Sequence, residues 1–454
     1  MGPEVTGFYD ALKSRRASIE ARYRRLTPAS ARLALDAARV LPGGSTRDTV
    51  RRHPYPTYIR SGEGGRLVDA DGRRLVDLWF NATTLPLGHA DPRVVEAVGA
   101  CLARGTCFYA PTGLETQLAR EICRRLPSAE RVRFTNSGTE AVMLAVRLAR
   151  AFTGRPLVAK FEGSYHGSYD DVSWSVSTPG TGPADAPEPV AASAGLVSAA
   201  DRVLVLPYND LGAAVRLLET CARQVAILLV EPIANRMGLV PPGPGFLLGL
   251  REITARHRIV LAFDEVISFR LGCHGAQGIA GVTPDLTTLG KLIGGGFPVG
   301  AVAGRAEILE VSSPDRPTRV THAGTFTANP ITMTAGTVTL DALTPAVFDE
   351  LNATGGRVRG ELRRIAAGKP LQITGAGSLF KISATGAAMV DHRSSMTCDA
   401  KWEELASLEL LTEGFFLTTR LHGCLSTATR ADDVDRFLAA VERLLSGGTA
   451  ARQA

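Results

Sequence analysis

A chain of 454 residues is too long for one small core and predicts two or three domains. Its 45% hydrophobic and 21% charged residues are an ordinary globular composition, and a net charge of +6, with arginine interleaved among acidic residues, argues against a nucleic-acid surface. The seven cysteines form no CxxC pair and no apolar run approaches the roughly 20 residues of a spanning helix, so the expectation is a reduced, cytoplasmic setting with no structural zinc, no disulfide framework and no membrane.

Residues 1–40 carry apolar side chains at helical spacing (Ile19, Tyr23, Leu26, then Leu33, Leu35, Val40) split by Thr27-Pro28, which predicts two helices packed on another part of the chain. A glycine-bearing loop follows and ends at Arg47, which is either a bidentate clamp for a carboxylate or a solvated surface residue. The runs flanking Asp71-Gly72 predict a hairpin, and 92–104 and 114–126 predict amphipathic helices. From Arg131 onward apolar strands (131–135, 157–161, 202–206, 225–230, 259–263, 286–289) alternate with helices (141–152, 210–222, 244–257). That rhythm is the signature of a parallel sheet covered on both faces. The Ser-, Pro-, Gly- and Ala-rich stretch 168–200 interrupts it, as a functional lid or a disordered loop. A helix at 331–343 leads to helices at 345–367, 400–413 and 431–446 and strands at 379–383, 415–418 and 424–427. The expected divisions are an N-terminal segment 1–75, a large domain 76–330, and a connecting helix with a C-terminal α+β domain over 331–454.

The chemistry gathers at strand ends, where open parallel sheets bind ligands. Only six of the 51 basic residues are lysines, and one of them, Lys291, lies between the apolar run 286–289 and the glycines 294–296. A desolvated lysine amine is a nucleophile, which arginine cannot be; the alternative is a lysine in a surface loop. Ser137-Gly138-Thr139, between a strand and a helix, is either a phosphate seat or an ordinary helix cap. Asp264 follows five apolar residues and needs a partner: a structural ion pair, or the protonated ring nitrogen of a pyridine cofactor, as in pyridoxal-phosphate enzymes. Lys291 lies 27 residues beyond it, a spacing that suits a Schiff-base lysine. Tyr165-His166 follows the strand 157–161, where the tyrosine can stack on a ring and the histidine can shape the pocket, or both can be core packing.

These residues resemble the class III, fold-type I pyridoxal 5′-phosphate aminotransferases, in the branch of glutamate-1-semialdehyde 2,1-aminomutase and the β-phenylalanine-type transaminases. The matching runs are Asn136 to Ala141, Lys160 to Gly167, Glu231-Pro232, Phe263 to Val266, Asp285 to Gly296, and Gly324-Thr325-Phe326 with Asn329-Pro330. The resemblance implies an α/β fold: a mainly parallel central sheet covered by helices, with a smaller α+β domain built from the N- and C-terminal segments. It implies that Lys291 carries the cofactor as a Schiff base, Asp264 pairs with the pyridine nitrogen, Ser137, Gly138 and Thr139 hold the phosphate, and Tyr165 stacks on the ring beside His166. It also implies a homodimer, in which Thr325 reaches the neighbouring subunit's cofactor, and the exchange of an amino group between a small-molecule amino donor and a keto-acid acceptor.

Departures from the pattern bear on the substrate. Gly44-Ser45-Thr46-Arg47 is closer to β-amino-acid transaminases, in which an arginine at this place takes the substrate carboxylate, than to the aminomutases. Thr419-Arg420-Leu421 is similar to a stretch of the same enzymes with a second carboxylate-binding arginine, and after Glu231-Pro232 the run Ile233 to Gly238 departs from the family's, so the residue that supports the cofactor's phenolic oxygen is left open and Arg236 is a further candidate for shaping the substrate site. The favoured expectation is a transaminase acting on an amino acid, with β-amino acids in view. The alternatives are the aminomutase, a racemase or decarboxylase of the same fold, and an inactive scaffold subunit, against which the intact Lys291 and Asp264 argue.

Overall fold

A computed structural model describes residues 3–196 and 200–447. Among them no single helix is long and apolar enough to cross a membrane. Where two N-terminal helices are expected there are three, Pro3–Lys13, Arg16–Leu26 and Pro28–Ala37. Proline at the first helical position explains the third start, because its missing N–H would have no partner there anyway. Tyr9, Leu12, Ile19 and Tyr23 bury into one core with Trp402, Phe415 and Phe437, whereas Leu33, Leu35 and Val40 are exposed, so the apolar period does not mark a core face beyond the second helix. Strands β1 (Ile59–Glu63), β2 (Arg66–Asp69) and β3 (Arg74–Asp77) form an antiparallel meander whose last turn is the expected one at Asp71-Gly72.

The seven-stranded sheet is built from β4 (Arg131–Thr135), β5 (Leu157–Phe161), β6 (Val203–Leu206), β7 (Val225–Val230), β8 (Val260–Asp264), β9 (Leu286–Gly290) and β10 (Gly300–Gly304), in the order β4-β10-β9-β8-β7-β5-β6. Every residue of β7, β8, β9 and β10 is buried, as unbroken apolar runs between two helical layers must be. All pairings from β9 through β6 are parallel, and β10 alone runs against its neighbours β4 and β9. Strand β10 escapes the sequence reading because Gly-Ala-Val-Ala-Gly has little β-propensity. Its small residues are needed: a Cβ on Gly300 would run into the Ser137 carbonyl and the Thr135 hydroxyl. Gly300→Ala is therefore expected to lose about 1–3 kcal/mol of stability, the usual result of overpacking, seen as a lower Tm with an unchanged fold by circular dichroism.

The C-terminal strands β11 (Gln372–Thr374), β12 (Leu379–Ser383) and β14 (His422–Cys424) form a separate antiparallel sheet, while β13 (Phe415–Phe416) joins β3 in parallel. The last two are shorter than the expected 415–418 and displaced from the expected 424–427, because Leu421 takes a left-handed backbone and turns the chain early. Segment 168–196 is irregular but tied down. Arg393 donates to the carbonyls of Thr181, Gly182 and Pro183 while paired with Glu162, and the His392 ring contacts the Thr178 carbonyl at 2.8 Å. Residues 197–199 of the expected lid lie outside the described residues.

Candidate active site

Beyond the carboxyl ends of the parallel strands lies a cavity of about 1160 Å³. Ser137 follows β4, Tyr165 and His166 follow β5, Glu231 follows β7, Asp264 ends β8 and Lys291 follows β9, so five strands of one sheet deliver polar groups to the same space. Gly138, Thr139, Arg47, Arg236 and Arg420 also line it. Thr325 does not; it is exposed, with its carbonyl 3.7 Å from the Cys107 thiol.

Lys291 sits in the left-handed region (φ 50°), which turns its side chain off the end of β9. Burial in the cavity floor lowers its pKa, with the Arg236 charge adding to the effect and Asp264 and Glu231 opposing it. Lys291 keeps part of its surface open to the cavity, whereas two other lysines are buried and committed. Lys160 donates to the carbonyls of Ser164 and Trp174, and Lys381 to Glu403 Oε1 at 2.9 Å and the Ile382 carbonyl at 3.0 Å. Among the described residues Lys291 Nζ has no hydrogen-bond partner, so it alone of the three is an available amine.

Asp264 is 6% exposed, accepting from the Val266 amide at 3.2 Å and lying 2.8 Å from His166 Nδ1. Burial lowers the His166 pKa against the pull of that carboxylate, so the ring is neutral and its proton belongs on Nδ1, toward Asp264. Its Nε2 is then a buried acceptor without a partner among the described residues. The aspartate is thus fixed in angle and retains lone pairs for a cation in the cavity. Its neighbour Glu265 takes the structural part, accepting from the Ala276 and Gln277 amides and the Gln277 side chain.

At the start of helix Gly138–Thr153, the Ser137 hydroxyl caps the Glu140 amide at 3.1 Å, and Glu140 returns a bond to the Asn136 amide at 2.6 Å. The capping reading of Ser137 is therefore correct as far as it goes, and the first-turn amides still face outward without intrahelical acceptors. The walls close in because glycines permit it: a Cβ on Gly138 would lie 3.1 Å from Val266, and one on Gly167 would strike Thr139 Oγ1. The seat is a glycine-lined recess at a helix N-terminus, which is a place for a phosphate. An anion seat, a fixed carboxylate across the cavity from it and an uncommitted amine between strands fit a phosphorylated pyridine aldehyde.

Two buried groups, Glu231 and Lys160, stand in the matching runs but receive no role from the sequence. Glu231 accepts from the Tyr165 amide at 3.1 Å and the Asn235 amide at 3.4 Å, clamping the loops after β5 and β7 together. Burial, then the Asp264 charge, pushes its pKa up to about 8, while burial pulls Lys160 down to about 7. A carboxyl directly after six apolar residues was the available signal, the same one that marks Asp264. Because the folded state holds the Glu231 proton up to about pH 8 and the unfolded state releases it near 4.5, this group's contribution favours folding at low pH and fades as pH rises through that window. Replacing Glu231 with Gln is expected to shift Tm relative to the parent in the variant's favour as pH climbs from 5 to 9; a difference that stays constant with pH would refute the assignment.

Arg236 lies over the Tyr165 ring at 4.6 Å, so one face of the expected stacking platform carries a cation–π contact. Arg420, which lines the cavity, gives its Nε to the buried Glu403 at 2.5 Å, a carboxylate shared with Lys381. Arg47 stands at the mouth, where Nη1 donates to Asn81 Oδ1 at 3.0 Å. Asn81 belongs to an unusual element: Phe80, Asn81, Ala82 and Thr83 all have positive φ (48°, 49°, 56° and 73°), one turn of left-handed helix closed by Thr83 N to Trp79 O and Thr84 N to Phe80 O. L-residues resist this by roughly 1–2 kcal/mol each.

The family model for class-III aminotransferases matches residues 49–414. A glutamate-1-semialdehyde 2,1-aminomutase of Methanothermobacter thermautotrophicus is 42% identical over 417 residues, spanning 90% of this chain and 97% of that protein. Among solved structures, an omega-transaminase from Sphaerobacter thermophilus superposes with a TM-score of 0.89 at 46% identity over 92% of this chain and 97% of its own. A β-phenylalanine aminotransferase from Variovorax paradoxus does so with a TM-score of 0.88 at 35% identity, over 96% and 98%.

Proposed function

From the premise that this chain belongs to the class-III aminotransferases, enzymes whose cofactor is pyridoxal 5′-phosphate, we propose that it is a transaminase for an amino acid whose carboxylate is received by Arg47, with β-amino acids the favoured donors. The observation that carries this reading is the state of Arg47. It lines the same cavity as Lys291, and its one side-chain hydrogen bond among the described residues goes to a neutral amide, so its charge is uncompensated and its remaining donors can take both oxygens of a carboxylate. Arg420 and Arg236 add positive charge to the same space and suit the acceptor's carboxylates.

Ser137, Gly138 and Thr139 would hold the cofactor phosphate, Asp264 with His166 the ring nitrogen, Tyr165 the ring face and Lys291 the aldehyde carbon. Bound pyridoxal phosphate supplies an electron sink for the carbon that loses a proton. Lys291, as a neutral amine, takes that proton from the carbon bearing the donor's amino group and returns a proton when the keto acid is aminated. Asp264 keeps a positive charge at the far end of the site throughout, and Glu231, carrying its own proton, adds no competing negative charge near it.

A second copy of the chain would complete the site. Cys107 ties the Thr325 loop to a surface where Phe108, Tyr109 and Phe326 are exposed, an apolar patch that a homodimer covers while presenting Thr325 to its neighbour. Seven free cysteines accord with a cytoplasmic location.

The test is a panel of α-, β- and ω-amino donors with keto-acid acceptors. Arg47→Ala is expected to raise KM for the best carboxylate-bearing donor by about 10- to 100-fold with kcat little changed, the loss of one charged hydrogen-bonded contact or two. An unchanged KM would make Arg47 a surface residue. The aminomutase reading is favoured by the 42% identity to the Methanothermobacter thermautotrophicus enzyme; it predicts turnover of glutamate-1-semialdehyde with no external amino acceptor.

A further inference from the structure

We infer that Asn81 is a positioning residue for substrate specificity: aimed by the left-handed turn Phe80–Thr83, it presets the Arg47 guanidinium to receive a carboxylate. The inference rests on the reading of Arg47 above and deepens it. The contact is direct, Arg47 Nη1 to Asn81 Oδ1 at 3.0 Å, and it joins two exposed segments at the cavity mouth. The identity of the partner matters. An acidic residue here would neutralise Arg47 and compete with the substrate, whereas an amide oxygen orients the guanidinium and leaves its charge intact.

The turn holding Asn81 is fixed from beneath. The Asp77 carboxylate accepts from the Trp79 amide at 2.8 Å and the Phe80 amide at 2.9 Å. At the other end Arg270, 2% exposed, donates Nη1 to the Thr83 carbonyl at 2.9 Å and uses its other nitrogens on Ser378 Oγ and the Leu425 carbonyl. Phe80 and Thr83 are buried anchors, and Asn81 is the residue of the turn that stays exposed. Asparagine tolerates the left-handed region better than other residues with a side chain, apart from aspartate. Strained backbone over-determined by its surroundings is characteristic of functional sites, and here the group it delivers is the one that touches Arg47.

Calorimetric titration of the holoenzyme with 3-phenylpropanoate, and with 3-phenylpropan-1-ol as its uncharged match, tests this. Asn81→Gly keeps the left-handed backbone comfortable and removes only the side chain. It is expected to weaken the carboxylate about tenfold, leave the alcohol unchanged, and have no further effect when Arg47 is already Ala. Asn81→Ala should weaken the carboxylate equally while lowering Tm more, since alanine adds strain. If Arg47→Ala weakens the carboxylate but Asn81→Gly does not, or if Asn81→Ala alone weakens it, this inference is overturned and the Arg47 reading stands. If Arg47→Ala has no effect, both are overturned. Equal weakening of the alcohol would show a merely structural role and overturn the inference.

Discussion

Lys291→Ala is expected to lower the rate of amino transfer by roughly 10⁴-fold, the upper range for a positioned acid–base group, and to change the visible band of the bound cofactor at the same time. The expectation comes from comparing Lys291 with the two buried lysines. Lys160 has two carbonyls to satisfy, and Lys381 shares Glu403 with Arg420, so neither amine can leave without stranding a partner. Lys291 has no such commitment, its backbone is turned into the cavity by a positive φ, and burial holds its pKa below the ordinary lysine value. The half-reaction with donor alone, followed by stopped-flow absorbance, separates loss of chemistry from loss of cofactor. Residual activity within tenfold of the parent would move the role elsewhere.

Asp264→Asn should cost about 10²–10³-fold in kcat while retaining the cofactor, because the change removes a fixed charge and little volume. The same change removes the carboxylate that raises the His166 pKa, so the imidazole should become still harder to protonate. The neighbouring Glu265→Gln is the control. Its carboxylate faces the Ala276 and Gln277 amides and the Gln277 side chain, and its loss should lower Tm with little effect on turnover. Equal activity losses at the two positions would show that both are simply structural.

Much of the site was legible because a buried apolar strand ending in a polar residue raises a question that only a ligand or a partner answers. Asp264 and Lys291 each follow such a run, Ser137 follows the mixed strand Arg131–Thr135, and the structure brings all three to one cavity. The same signal stood at Glu231, and Lys160 lies within the otherwise apolar β5, but what each does depends on partners from other loops, Tyr165 and Asn235 for one and Ser164 and Trp174 for the other, which sequence order does not bring together. The turn at Phe80–Thr83 left no trace, since Phe-Asn-Ala-Thr contains no glycine to announce a left-handed backbone. The first N-terminal helix was missed, and β10 was invisible because strand propensity is low where close approach demands glycine and alanine. The outcome for Arg420 was mixed: it reaches the cavity as expected, but the buried Glu403 and Lys381 that orient it came from distant segments.

Strand β10 also bears on biosynthesis. It inserts between β4 and β9, and Gly300 packs on the Ser137 carbonyl, so the recess at residues 137–139 acquires its back wall only after the chain has been made through residue 304 and that strand has threaded in antiparallel. A nascent chain ending before that point has the seat's residues without the seat. If this recess holds the cofactor phosphate, capture of the cofactor would report completed assembly of the sheet and would stabilise by mass action only those molecules in which β10 is in place.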